Sequence, residues 1–96
     1  MKPSQVLEAH RSEIRRIVEA HRASNPRVFG SVIRGEDTED SDLDILIQPS
    51  DDMTLFDLGA IRLELIELLE IHIDVLTPKA LPESFRDEVL AEAAPV

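Results

Sequence analysis

The chain has 96 residues, of which 43% are hydrophobic; it contains no cysteine and carries a net charge of −10. This length predicts a single domain, spanning residues 1–96, with a core of modest size. The lack of cysteine excludes a disulfide scaffold and a thiolate metal site, and the negative charge argues against a protein that coats nucleic acid. No signal peptide or apolar run of membrane-spanning length is present, so we expect a cytoplasmic protein.

Apolar residues at helical spacing predict an amphipathic helix over residues 3–23. The Ser-Asn-Pro stretch at 24–26 is expected to end this helix, and residues 27–29 are expected to form a short strand. Gly30-Ser31 then turns the chain into a short helical turn. The polar and acidic residues from 35 to 41 predict a loop.

The second half of the chain begins with its clearest strand, residues 42–48, in which apolar and acidic residues alternate. Thr54 and Asp57 form a capping pair that opens a helix to about residue 70. Its inward-facing residues are expected to be Leu55, Leu58, Ile61, Leu65, Leu68 and Leu69. Residues 71–76 alternate as a strand, and 83–93 are expected to form a final helix. This order predicts a mixed α/β domain with a short mixed sheet flanked by helices.

Three aspartates are the strongest candidates for catalysis. Asp42 and Asp44 lie two apart on one strand, so their side chains project from the same face about 6.6 Å apart. Asp74 lies in the next predicted strand, and pairing of the two strands would bring all three carboxylates together. Clustered carboxylates repel one another unless a cation neutralises them, and oxygen ligands favour Mg²⁺ or Mn²⁺. We therefore predict a catalytic metal site at Asp42, Asp44 and Asp74.

A candidate seat for phosphates precedes these aspartates in the chain. Gly30 allows close approach to the backbone, and Ser31 offers a hydroxyl and a backbone N–H at the start of a turn. Arg34 adds a fixed positive charge beside Gly35. Each feature is weak alone, but the joint order is a stronger signal for a phosphate-binding site at Gly30, Ser31 and Arg34: a strand, a Gly-Ser pair, ten residues, an Asp-x-Asp strand, a helix and a strand with a third aspartate.

The joint pattern resembles a known family signature. Gly-Ser-Val-Ile-Arg-Gly at 30–35, followed by Ser-Asp-Leu-Asp-Ile-Leu at 41–46, resembles the nucleotidyltransferase signature of the DNA polymerase β superfamily. More narrowly, the whole chain resembles a minimal nucleotidyltransferase, including the antitoxin members of that group. The resemblance implies that Asp42 and Asp44 bind metal, that Asp74 acts as ligand or base, and that Gly30 and Ser31 contact the triphosphate. Ile33 stands where many relatives carry a small alanine, which we expect only to repack the turn.

The resemblance also implies a partner and a reaction. Minimal nucleotidyltransferases are often paired with a HEPN-domain protein, and in the antitoxin members that partner is an RNase toxin silenced by transfer of AMP to a tyrosine. We therefore predict a magnesium-dependent transfer of AMP from ATP to a HEPN-type toxin. A chain of this size has little surface for a second pocket, so the acceptor is expected on another protein, within a possible homo- or hetero-oligomer.

Two other functions stay open at this stage. The chain could be a binding module that neutralises its partner by contact, since residues 36–96 hold three basic and seventeen acidic side chains. It could also transfer nucleotides to a small antibiotic-like alcohol, if a partner chain completes the acceptor pocket. Replacing Asp42 and Asp44 with asparagine would distinguish an enzyme from a contact inhibitor.

Overall fold

The N-terminal segment forms two helices in the computed structural model, which describes all 96 residues. Helix α1 spans Pro3–Ala9 and helix α2 spans Arg11–Ala20, with His10 between them at φ −130° and ψ 20°. The prediction of one helix over 3–23 is therefore wrong at the break and at the C-terminal end. The buried Leu7 and Ile14 are two helical turns apart across the break, so the periodic pattern did not reveal it.

The sheet has four strands in the order β3-β2-β1-β4. Strand β1 spans Ala23–Phe29, β2 spans Leu43–Pro49, β3 spans Ile73–Leu76 and β4 spans Ala94–Pro95. Strands β2 and β3 are parallel, whereas β1 is antiparallel to both β2 and β4. This mixed sheet with flanking helices confirms the predicted fold class.

Strand β1 is longer than predicted because the Ser-Asn-Pro stretch belongs to it. The register with β2 is irregular between Ser24 and Arg27, where Asn25 takes a left-handed conformation at φ 49°. Pro26 has no N–H to donate, but its carbonyl accepts a hydrogen bond from the Val96 N–H at 2.9 Å. The residues expected to end a helix instead form an irregular start to a strand.

Alternation along β2 divides the core between the two faces of the sheet. Leu43, Ile45 and Ile47 are fully buried in the larger hydrophobic cluster, together with residues of α1, α2 and α3. Leu46 lies on the other face in a smaller cluster formed by Phe29, Leu46, Leu81 and Val89. Asp44 shares the face of Leu46, so its carboxylate lies outside the larger core.

Helix α3 spans Leu55–Leu69 and begins with the predicted capping box, in which Thr54 and Asp57 bond reciprocally. Ile61, Leu65 and Leu69 are buried at intervals of four residues, and Leu58 and Leu68 are partly buried. Leu55 is 85% exposed, so its predicted inward position is wrong. Leu55 is the first residue of the helix and follows the exposed capping residue Thr54, so it lies at the end of the helix, outside the core.

The C-terminal segment contains the least predictable elements. Pro78–Ala80 forms a single 3₁₀ turn, and helix α4 spans Arg86–Glu92, which is shorter than the predicted 83–93. Strand β4 was not predicted, because two residues carry no periodicity. It pairs with β1, and Arg11 and Arg15 donate hydrogen bonds to the carbonyls of Pro95 and Val96. None of the helices has the length and apolar character needed to cross a bilayer.

Asp37 connects the predicted loop, residues 35–41, to helix α1 by a hydrogen bond. It is buried, and its carboxylate accepts a hydrogen bond of 3.0 Å from the Ser4 N–H in the first turn of α1. This hydrogen bond is the main cause that lowers the pKa of Asp37. The loop between the Gly-Ser turn and β2 is therefore anchored at a point that its polar composition did not indicate.

We expect Asp37→Ala to destabilise the protein by about 1 kcal/mol, the usual cost of losing a helix cap. Because the pKa of Asp37 is lowered in the folded state, this stabilisation should be present near neutral pH and disappear as the pH falls below 4. Thermal denaturation at pH 7 and pH 3 measures both effects. Asp40→Ala, an exposed change in the same loop, is the control, and an equal loss of stability in both variants would contradict the prediction.

Candidate active site

The register of the parallel strands places two of the predicted catalytic aspartates side by side. Asp44 of β2 pairs with Asp74 of β3, and neighbouring strands lie about 4.8 Å apart. Asp42 directly precedes β2 and is exposed, and its negative charge is close enough to raise the pKa of Asp44. The predicted pairing of these two strands is confirmed, and it brings the three carboxylates to one end of the sheet.

Asp44 lies in an unfavourable electrostatic environment for a carboxylate. Its pKa is raised to about 6, first by burial and then by the negative charges of Asp74 and Asp42, while Arg34 opposes the shift. A divalent cation at this point would remove the repulsion, and the donors are hard oxygens suited to Mg²⁺ or Mn²⁺. The residues therefore fit the predicted ion in chemistry and in charge.

In their present rotamers, the side chains of Asp42, Asp44 and Asp74 do not form a metal coordination sphere. Nowhere in the chain are three or more histidine, aspartate or glutamate side chains arranged to hold a metal ion. Asp42 and Asp74 are exposed, and exposed side chains change rotamer at low cost. Metal binding by Asp42, Asp44 and Asp74 thus stays a prediction that requires these side chains to reorient.

The turn after β1 presents free backbone donors beside Asp44. The carbonyls of Gly30 and Ser31 accept hydrogen bonds from the N–H groups of Arg34 and Glu36, at 3.2 and 2.9 Å. The N–H groups of Ser31, Val32 and Ile33 have no hydrogen-bond partner within the chain. Unpaired amides at the start of a helical turn are suited to bind phosphate oxygens.

Gly30 brings the candidate phosphate seat, the turn after β1, against the carboxylate of Asp44. It takes a left-handed conformation at φ 78°, and a Cβ atom built on it would overlap the carboxylate of Asp44. Only glycine can adopt this backbone conformation and approach Asp44 so closely without strain. The backbone of the turn and the Asp44 side chain are therefore in contact, as nucleotidyl transfer between a metal-bound phosphate and an acceptor would require.

Arg34 and Glu92 complete this region, and the sequence did not predict a role for Glu92. The Arg34 guanidinium lies 3.4 Å from the carboxylate of Glu36 and 3.4 Å from that of Glu92. Glu92, the last residue of α4, also accepts a hydrogen bond from the Gly30 N–H at 3.3 Å. The only sequence signal was an acidic residue at a helix C-terminus, where the helix dipole disfavours it.

The groove beside Gly30 is small. Its volume is about 250 Å³ and it is lined by Phe29, Gly30, Arg34, Phe85, Glu88, Val89 and Glu92. Pockets that enclose a ligand of drug size usually measure about 300–1,000 Å³. The largest groove of the chain, about 550 Å³, lies between α2 and α3 and contains none of the predicted site residues.

Comparison with known proteins decides the family. Residues 9–96 match the family model described as nucleotidyltransferase domain. The chain belongs to this nucleotidyltransferase family. The predicted membership and the predicted enzyme class are thereby confirmed.

Individual nucleotidyltransferase relatives extend this result. The chain is 37% identical over 76 residues to a Methanocaldococcus jannaschii protein provisionally named a protein adenylyltransferase, covering 79% of this chain and 82% of that protein. It is 33% identical over 87 residues to the protein adenylyltransferase MntA of Thermococcus cleftensis, covering 91% and 85% of the two chains.

Solved nucleotidyltransferase structures agree with the fold. One, provisionally described as a minimal nucleotidyltransferase, superposes with a TM-score of 0.86 at 39% identity, over 97% of this chain and 95% of the other. A toxin–antitoxin structure with AMP-PNP superposes with a TM-score of 0.73 at 16% identity, over 88% of this chain and 69% of the other. The second likeness shows the shared fold alone.

The raised pKa of Asp44 predicts a pH-dependent stability in this nucleotidyltransferase domain. The folded state binds a proton at Asp44 more tightly than the unfolded state does, so without metal the protein should lose stability as the pH rises from about 4 to 6. Asp44 is half-exposed, and solvent screening leaves a cost on the order of 1 kcal/mol. Thermal melts in EDTA should therefore show Asp44→Asn to be more stable than wild type at pH 8 but not at pH 4.

Two controls test the cause of this stability difference. Asp51→Asn, a change in an exposed turn with the same loss of charge, should leave the melting temperature nearly unaltered at both pH values. Saturating Mg²⁺ at pH 8 should stabilise wild type more than Asp44→Asn, because the cation offsets the repulsion. An Asp44→Asn variant that is less stable than wild type at pH 8 in EDTA would show that the carboxylate is not under electrostatic strain.

Proposed function

We propose that this nucleotidyltransferase moves AMP from ATP to a hydroxyl group of a partner protein, a tyrosine of a HEPN-type RNase toxin, and so acts as an antitoxin. The observation that carries the proposal is the contact between Gly30 and Asp44. It joins a turn with three unpaired amides to the paired carboxylates of Asp44 and Asp74. A triphosphate and a carboxylate-bound metal would be neighbours in this arrangement.

Each site residue has a proposed task. The Ser31 amide and hydroxyl and the neighbouring free amides bind triphosphate oxygens, while Arg34 supplies positive charge once it leaves its acidic partners. Asp42, Asp44 and Asp74 hold Mg²⁺ or Mn²⁺, which when bound would supply Lewis-acid activation of the phosphate. Asp74 lies exposed on the edge strand, and its proposed task is to take the proton of an incoming hydroxyl.

Two observations support an acceptor on another protein. The groove at Gly30 is smaller than a pocket that encloses a ligand, so it leaves little room for an acceptor beside the triphosphate. The chain has no tyrosine, so a tyrosine acceptor must come from elsewhere. Two relatives are named protein adenylyltransferases, one of them provisionally, and this supports the proposal.

A contact inhibitor is the second candidate, and one surface favours it. Leu55 and Phe56 at the start of α3 are 85% and 90% exposed, and Leu63 on the same helix is 57% exposed. Exposed apolar residues of this size often mark a protein interface. A protein that inhibits its partner by contact needs such a surface to hold the partner.

Intact-mass spectrometry of the co-expressed partner tests the proposal. The partner is incubated with ATP, Mg²⁺ and either wild type or the Asp42→Asn/Asp44→Asn double variant. We expect mass increments of whole AMP units with wild type only, and loss of cellular protection with the double variant. A stable complex without any increment, together with full protection by the double variant, would reject transfer and establish inhibition by contact.

A further inference from the structure

Glu92 lies where the nucleotide's phosphates are proposed to bind. One carboxylate oxygen accepts a hydrogen bond from the Gly30 N–H at 3.3 Å and lies 3.4 Å from the Arg34 guanidinium. A backbone amide and a guanidinium are also the donors that a phosphate oxygen takes. The Glu92 carboxylate therefore occupies Arg34, which the proposed triphosphate site uses, and the Gly30 N–H, which directly precedes the free amides of the turn.

The fold holds Glu92 in this position from both sides. Val89, one turn earlier in α4, is buried in the smaller hydrophobic cluster. Just after Glu92 the chain enters β4, where Ala94 and Pro95 pair with β1. The helix dipole opposes a carboxylate at the last residue of α4, so the position of Glu92 is not explained by helix stability.

Gly30 separates two carboxylates with different tasks. Its Cα side contacts Asp44, the proposed metal ligand, and its N–H contacts Glu92. A phosphate that accepted the Gly30 hydrogen bond would lie beside the metal ligands and would overlap the present place of the Glu92 carboxylate. The two anions exclude each other by volume and by charge.

We propose that Glu92 is an internal occupant of the phosphate seat and sets the affinity of this enzyme for nucleotide. In the nucleotide-free protein its carboxylate accepts hydrogen bonds from the Gly30 N–H and the Arg34 guanidinium. Binding of a triphosphate displaces the carboxylate toward solvent, which is accessible because the side chain is 32% exposed. The inference rests on the proposed nucleotide site but does not depend on which protein accepts the AMP.

Calorimetric titration with AMP-PNP and Mg²⁺ tests the proposal on the full chain. We expect Glu92→Gln and Glu92→Ala to bind AMP-PNP about five- to tenfold more tightly than wild type, because the competing charge is gone. Glu83→Gln, an exposed substitution just before α4, removes the same charge outside the groove and should change the affinity less than twofold. Melting temperatures close to that of wild type would show that all variants are folded.

A second measurement follows Gly30 directly. Its backbone amide resonance should move in nucleotide-free Glu92→Gln relative to wild type, and the two spectra should converge at Gly30 once AMP-PNP is bound. Unchanged or weaker binding by both Glu92 variants, with normal binding by wild type, would overturn the role of Glu92 alone. Absence of binding by wild type and by all variants would overturn the nucleotide site and this inference together.

Discussion

Asp44→Asn is expected to reduce AMP transfer by about a thousandfold or more, which corresponds to about 4 kcal/mol of lost transition-state stabilisation. Asp44 is the aspartate that pairs with Asp74, touches Gly30 and has its pKa raised to about 6. Asparagine keeps the shape of the side chain but removes the charge that the cation needs. Single-turnover transfer of AMP to the partner, followed by intact mass, measures the effect.

The stability of the Asp44→Asn variant makes this result easy to interpret. Since asparagine relieves repulsion in the metal-free protein, the variant should be at least as stable as wild type above pH 6, and lost activity would not reflect unfolding. Asp40→Asn, in the exposed loop before β2, is the matched control and should retain activity. Transfer by Asp44→Asn within tenfold of wild type would exclude Asp44 as a metal ligand.

Gly30→Ala is expected to cause the second large loss, in transfer and in stability together. The added Cβ would overlap the Asp44 carboxylate, and the left-handed backbone at φ 78° disfavours any side chain. Either the turn moves away from β2 or Asp44 rotates, and both separate the phosphate seat from the carboxylates. We expect at least a hundredfold loss of transfer, comparable with the loss of one well-placed donor group.

Gly35→Ala separates the two causes of the Gly30→Ala effect. Gly35 is also left-handed, at φ 71°, but a Cβ there would have no atom within 4 Å. Alanine at 35 should therefore cost only the backbone strain of about 1–2 kcal/mol in stability and leave transfer within a few-fold of wild type. Equal loss of transfer in the two variants would show that strain, and not the contact with Asp44, controls the reaction.

The parts of the site that local patterns encode were predictable. Alternation in β2 placed Asp42 and Asp44 on the face opposite Leu43 and Ile45, and the observed β2–β3 pairing brought Asp74 beside Asp44. The capping box of α3 was predicted for the same reason, since its two partners are three residues apart. These features depend on spacing along the chain, which a single sequence displays.

The parts that depend on distant residues were not predictable. Asp37 accepts a hydrogen bond from Ser4, 33 positions away in the sequence. Glu92 accepts one from Gly30, 62 positions away. The periodicity of the sequence does not indicate such contacts. In a chain with many acidic residues, one more acidic residue does not indicate a specific contact either. The break at His10 was missed for a different reason, because the apolar residues keep helical spacing on both sides of it.

The pairing of Asp44 with Asp74 also limits how the gene can change in length. In β3 successive side chains alternate between the larger core and the opposite face, which carries Asp74. One extra residue within β3 would turn Asp74 inward and move Ile73 or Val75, now buried, to solvent. The segment from Pro49 to α3 begins with an exposed turn, where insertions leave this alternation intact. Functional homologues should therefore differ in length before α3, whereas β2 and β3 should accept substitutions but no insertions or deletions.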